Sequence, residues 1–197
     1  VMLLKLEKNI NKLMDYVGAV AGVLLILLVL VISYNVIGRY VFNASSIGLE
    51  ELAWHFYASV FLLGIPFALK TGSHVRVDLI FENLSLRTRA IIDLVGTVLF
   101  LLPMAGIVLY YGWDFMAQAY ILGPHADSFP GLVQQLFTTG IGEKTQDPGG
   151  LLNRFIIKGV IPLSFFFLIL SAISFLIHKI NILMGVEQEN ELDHGSH

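Results

Sequence analysis

Four stretches of this chain carry no Asp, Glu, Lys or Arg: between Asp15 and Arg39, Glu51 and Lys70, Asp93 and Asp114, and Lys158 and Lys179. Each is about the 17–25 residues that a helix needs to cross the hydrocarbon of a bilayer. A charge near the middle of such a helix costs roughly 2.5–3.5 kcal/mol to insert, so uncharged runs of this length are the primary signal. The first is the strongest, because Val23 to Ile32 is unbroken aliphatic sequence. The second is marginal: it holds His55 and Pro66 among 18 uncharged residues, which rise only about 27 Å as a helix. Composition agrees, with 56% hydrophobic and 14% charged residues, where soluble domains have roughly 25% charged. The predicted fold is an all-α integral membrane protein with four transmembrane helices, spanning about 16–38, 52–69, 94–113 and 159–178. Pro103 is expected to kink the third.

Lysines and arginines set the expected orientation. Lys5, Lys8, Lys12, Lys70, Arg76, Arg87, Arg89 and Lys179 fall on one side, against Arg39, Lys144, Arg154 and Lys158 on the other. Both termini are therefore expected in the cytoplasm. The N-terminal apolar run is too long for a cleavable signal peptide. Within Met2 to Tyr16, residues Leu3, Leu6, Ile10, Leu13 and Met14 share a helical face, which predicts an amphipathic helix (1–15) lying in the cytoplasmic membrane surface. Residues 186–197 read as a disordered acidic tail. The connection from Asp114 to Lys158 is long and carries Pro124, Pro130 and Pro148. Within that outer loop, Phe129 to Phe137 is expected to form a short amphipathic helix.

Several chemistries are excluded or disfavoured. With no cysteine, disulfides, thiolate metal sites and cysteine nucleophiles are out. The net charge of −3 argues against a nucleic-acid partner. A haem carrier needs two imidazoles at one depth, whereas His55 and His178 belong to opposite ends of their spans. Gly140-Ile-Gly-Glu-Lys-Thr145 lacks the glycine placement of a phosphate loop. No carboxylate, lysine or arginine stands at mid-depth in any span, so an ion or proton pathway within this chain is poorly supported. No catalytic residue, cofactor or metal ligand is expected, and the chain does not read as an enzyme.

The polar residues that stand out lie at helix ends. Asn35 and Arg39 share a face at the end of the first span, and Glu50 and Glu51 open the second at the same level, so an ion pair from Arg39 to either glutamate is available. His74, Arg76 and Asp78 alternate along the loop after Gly72. Gly18 and Gly22 form a G-x-x-x-G pair suited to close helix packing.

Taken in order, Asn35-Val-Ile-Gly-Arg39-Tyr40-Val-Phe42-Asn43, Glu50-Glu51-Leu52-Ala53, Gly64 to Ala68 and His74-Val-Arg76-Val-Asp78 resemble the small membrane subunit (DctQ-type) of tripartite ATP-independent periplasmic (TRAP) transporters. Asp147-Pro148-Gly149-Gly150-Leu151, with Arg154, Lys158 and Ile161-Pro162-Leu163, is similar to the mannitol and chloroaromatic branch. Two features depart from that pattern. Gly48 stands where many members have tryptophan, with Trp54 after the glutamate pair instead, and the stretch from Gly123 to Gln146 is longer than usual.

The resemblance implies a bacterial inner-membrane subunit that carries no substrate itself. It would brace a large transporting subunit, on which coupling sodium ions bind, and help dock a periplasmic substrate-binding protein; the implied cargo is a small organic acid. Arg39 with Glu50 or Glu51 is expected to clamp the first two spans, and His74, Arg76 and Asp78 to order the cytoplasmic loop. The outer loop from Asp114 to Lys158, with Asp147, Arg154 and Lys158, is expected to help form the surface facing the delivery protein. The competing reading is an independent homo-oligomeric carrier or channel.

Overall fold

The computed structural model describes residues 2–72, 85–123, 125–126 and 128–184. His74, Arg76, Asp78 and the acidic tail lie outside the described residues. The described chain is helical and without strands: α1 (Met2–Val41), α2 (Ile47–Lys70), α3 (Leu86–Gly96), a π-helical turn (Thr97–Leu101), α4 (Leu102–Ile121), α5 (Phe129–Thr138) and α6 (Phe155–Leu183). Four helical stretches are long and apolar enough to cross a membrane, the third formed by α3, the π turn and α4 together.

Helix α1 has 40 residues and at 1.5 Å per residue is about 60 Å long, twice a hydrocarbon core of about 30 Å. The expected in-plane helix is thus not a separate element, because residues 2–15 continue into the span without a break. No proline interrupts them, and their apolar face finds a protein partner. Met14 is fully buried and Ile10 nearly so, whereas Leu6 and Leu13 remain exposed. Beside that face, Ser174 Oγ of α6 donates to Asn11 Oδ1 at 2.9 Å. Helix α1 ends at Val41, where the Gly38 carbonyl accepts the amides of Phe42 and Ala44, and Asn43 takes the left-handed conformation (φ 50°) that asparagine tolerates.

Helix α6 is the hub. It packs on α1, α2, α3 and α4, and 44% of its span is buried, against 11–22% for the other three. Small residues make this possible: Ser164, Ser171, Ala172 and Ser174 are all buried and let neighbouring backbones approach. Two of these serines are matched to the proline of α2. Pro66 has no N–H, so the Leu62 carbonyl one turn earlier loses its helical donor, and Ser164 Oγ donates to that carbonyl instead. Ser171 Oγ donates to the Pro66 carbonyl at 2.9 Å. A carbonyl without a donor is disfavoured in lipid, so the Ser164 hydroxyl lets the marginal span tolerate its proline.

Pro103 acts differently. Its ring clashes with the carbonyl one turn earlier, and the chain widens there into the π turn, where the Leu102 amide donates to Thr97. Gly18 packs against α2, since a Cβ there would lie 2.4 Å from the Phe67 ring, while a Cβ at Gly22 would meet nothing within 4 Å.

Candidate functional site

Polar chemistry collects at the two ends of the bundle. At the Glu51 end, Arg39 Nη2 in the last turn of α1 pairs with Glu50 Oε1 in the first turn of α2. Their side chains are 54% and 43% exposed, so this pair spans the α1–α2 turn in contact with solvent. Asn35 is one turn back and partly buried, and it borders a cavity of about 470 Å³ with Gly38, Ser46 and Leu49.

Glu51 takes a different partner from its neighbour. Its Oε1 accepts from Thr145 Oγ1 at 2.5 Å, and its Oε2 accepts the Leu151 amide at 2.5 Å. The carboxylate thereby ties α2 to the long connection between α4 and α6. Sequence explains the fit. The Asp147 carbonyl accepts the Gly150 amide at 3.1 Å, Gly149 has φ +84°, and a Cβ at Gly150 would stand 2.8 Å from Glu51 Oε2 and 2.1 Å from Thr145 Cγ2. Gly150 is required here because any side chain would displace the glutamate. Asp147 contributes its backbone to this turn, and the residue is exposed.

Glu143 is the second anchor. Its amide donates to the Ala119 carbonyl at the end of α4 at 2.7 Å, and its carbonyl accepts the Arg154 amide at 3.0 Å. Its carboxylate pairs with Lys158 and lies 3.6 Å from Arg154 Nη1. Lys158 Nζ also stands 4.1 Å from the centre of the Phe115 ring, a cation–π contact that joins α6 to α4. Gly142 (φ +71°) is pressed against α4, where a Cβ would be 2.4 Å from the Ala119 carbonyl.

The rest of the loop is cross-braced by amides. Asn153 Oδ1 accepts from the Ile141 amide at 2.6 Å, and its Nδ2 donates to the Leu136 carbonyl at 2.9 Å. Gln135 Oε1 accepts from the Ala126 amide at 2.9 Å. The loop therefore forms a hydrogen-bonded bracket across the ends of α2, α4 and α6, with α5 as its outer edge. Glu51, Glu143, Thr145 and Arg154 border a polar cavity of about 730 Å³ beneath it.

At the opposite, Asp93 end, one ionic contact is buried. Lys179 Nζ lies 3.2 Å from Asp93 Oδ2, with side chains only 4% and 10% exposed. Lys70 pairs with Asp15, and Glu7 lies 3.2 Å from His178. His55, by contrast, lies near the start of α2, its Nδ1 2.6 Å from the Glu51 carbonyl, so the two histidines sit at opposite ends.

The sequence marks Asp93 only as the limit of a span, Lys179 only as a span limit and an orienting charge, and Glu143 and Thr145 only as part of a failed nucleotide motif. The glycines at 140, 142, 149 and 150 are the available signal: the first three take positive φ, Gly142 presses on the α4 backbone and Gly150 on the Glu51 and Thr145 side chains. Among the described residues, no group of three or more His, Asp or Glu side chains is placed to hold a metal ion.

Comparison with known proteins agrees with this architecture. Residues 28–181 match the family described as tripartite ATP-independent periplasmic transporters, DctQ component. The chain is also 33% identical over 101 residues to the isethionate TRAP transporter permease protein DctMQ of Oleidesulfovibrio alaskensis. That similarity covers 49% of this chain and only 16% of the relative. The chain belongs to the DctQ family of TRAP transporter components.

Proposed function

We infer that this chain is a non-catalytic small permease subunit that braces a large transporting subunit in a bacterial inner membrane, with both termini in the cytoplasm. The observation that carries the reading is where the polar groups go. Ion pairs collect at the two ends of the bundle, and the serine hydroxyls between α2 and α6 are spent on backbone carbonyls. A carrier needs polar groups converging near mid-membrane, whereas this interior is a packed scaffold. The relative named DctMQ is far longer than its matched region, which supports a large DctM partner for this chain.

The rigid bracket at the Glu51 end, on the periplasmic side in this orientation, is the surface suited to help dock a substrate-binding protein. Coupling sodium sites belong to the large subunit in this reading. The cargo is a small organic acid: isethionate, named for the relative, is a small organic anion. The motif from Asp147 to Leu151 supports the mannitol and chloroaromatic branch.

Affinity purification from gently solubilised native membranes, with mass spectrometry of whatever co-purifies stoichiometrically, tests the reading. A large multi-span partner is expected, together with no uptake by liposomes holding this chain alone. Substrate uptake by such liposomes would replace the scaffold with an independent homo-oligomeric carrier.

A further inference from the structure

The last carbonyls of a helix have no donor within it, and α4 leaves its own to be met from outside. After Ile121 the chain turns extended at Leu122 (φ −65°, ψ 120°). Gly123, at φ +94°, a conformation open to glycine, then reverses it. Two groups from further along reach the helix end. The Glu143 amide donates to the Ala119 carbonyl, and the ring of His125 meets the Tyr120 carbonyl.

Both nitrogens of that ring face acceptors. Nε2 stands 2.8 Å from the Tyr120 carbonyl oxygen, and Nδ1 stands 3.1 Å from the Gly123 carbonyl oxygen. A carbonyl oxygen only accepts, and a neutral imidazole has one N–H and one lone pair. Either neutral tautomer sets its lone pair against a carbonyl, so only the imidazolium donates to both. His55 differs, because it turns one ring nitrogen to a carbonyl and a neutral tautomer satisfies that contact. The C-terminal end of a helix also carries partial negative charge, which suits a cation there.

This contact holds neighbouring structure in place. Ala126, next in the chain, donates its amide to Gln135 of α5 at 2.9 Å, and Gln135 Nε2 donates to the Gly140 carbonyl at 3.2 Å. On the other side, the Tyr120 ring packs edge-on against Phe155 of α6 at 5.3 Å. Among the described residues, Tyr120 is the titratable group in contact with the imidazole, 4.8 Å between ring centres. Glu143 faces Lys158 and Arg154 instead, Lys144 is exposed, and α5 has no titratable side chain. The His125 residue is partly exposed, so water can deliver and remove the proton.

We propose that His125 is a proton-operated latch that fastens α5 to the end of α4. The closed corner uses both N–H groups of the imidazolium and the open corner needs neither. Closing is therefore favoured in acid and weakens as the pH rises. Placing this latch at the edge of a docking surface rests on the function proposed above, whereas the latch belongs to the chain alone, so its failure would leave that function standing.

Hydrogen exchange read by mass spectrometry on the full chain in detergent, corrected for the intrinsic effect of pH on exchange, tests the latch. Between about pH 5.5 and 8, where histidine changes charge, protection of residues 120–135 should fall about fivefold, the scale of a cation at a helix C-terminus. Protection of α2 and α6 should stay constant. His125→Gln should be loose at both pH values, and His125→Arg, charged throughout, should be held at both. Asp127, outside the described residues, is controlled by Asp127→Asn, which should respond as wild type does. Protection in wild type that does not change with pH would overturn the latch. So would an undiminished response in His125→Gln, or its disappearance in Asp127→Asn.

Discussion

The two ends of this bundle solve the same problem, closing off helix termini, by opposite means. At the Asp93 end, one ion pair is buried between helices: Lys179 with Asp93 joins α6 to α3 at 4% and 10% exposure. At the Glu51 end, an exposed pair joins α1 to α2, and a folded loop joins α2, α4 and α6 through the Glu51 carboxylate, which accepts a backbone and a hydroxyl proton, and the Glu143 carboxylate, which pairs with Lys158. A buried pair gives rigidity to two helices and nothing to the solvent. A hydrogen-bonded bracket gives the protein a shaped surface, which is what a docking face requires.

The comparison breaks first at the buried pair. Lys179→Met removes the cation that faces the buried Asp93 and should cost about 3–5 kcal/mol, seen as a large fall in thermal stability in detergent. Lys179→Met combined with Asp93→Leu should recover most of it. A single variant as stable as wild type would show that water reaches the pair.

Glu51→Ala comes next. It removes an acceptor of two charge-assisted hydrogen bonds, each worth about 1.5–3 kcal/mol, but the loss should be local. Limited proteolysis should cut the chain between residues 144 and 150 many times faster, while the four spans melt nearly as before. If cleavage and melting change in step, the bracket is part of the bundle's cooperative unit and not a separate surface element.

Ser164→Ala bares the Leu62 carbonyl beside Pro66, at a cost of about 1 kcal/mol, in the range measured for hydrogen bonds between membrane helices. Restoring a donor with Pro66→Ala in the same chain should cancel the loss, and additive effects of the two changes would count against this pairing.

The smallest expected effect is at Arg39. An exposed pair contributes about 0.2–1 kcal/mol, so Arg39→Ala should scarcely change stability, and that change should shrink further in high salt. Its consequence is expected in assembly or uptake, measured by recovery of the large subunit; normal values of both would sink its role as a clamp.

Much of this was legible along the chain. The helices and their limits follow from charge-free length, since insertion energy is summed over consecutive residues and needs no knowledge of neighbours. The approach of Arg39 to Glu50 was also readable, because a short turn places the two helix ends at one level. What could not be read is which of two adjacent glutamates turns to which partner. Glu50 faces Arg39 and Glu51 faces a loop about a hundred residues away, a choice made by the rotation of α2 against α6. The partnership of Ser164 with Pro66, the pairing of Lys179 with Asp93 and the continuity of α1 past Asp15 belong to the same class.

Sequence by itself determined that this chain builds four membrane-length helices with polar ends and an apolar middle, because the bilayer acts on each segment separately. Only the tertiary structure decided that α6 is the hub and that the long loop is a bracket rather than a tether. Those outcomes depend on which faces meet, and helix rotation and register are set by packing between segments far apart in the chain.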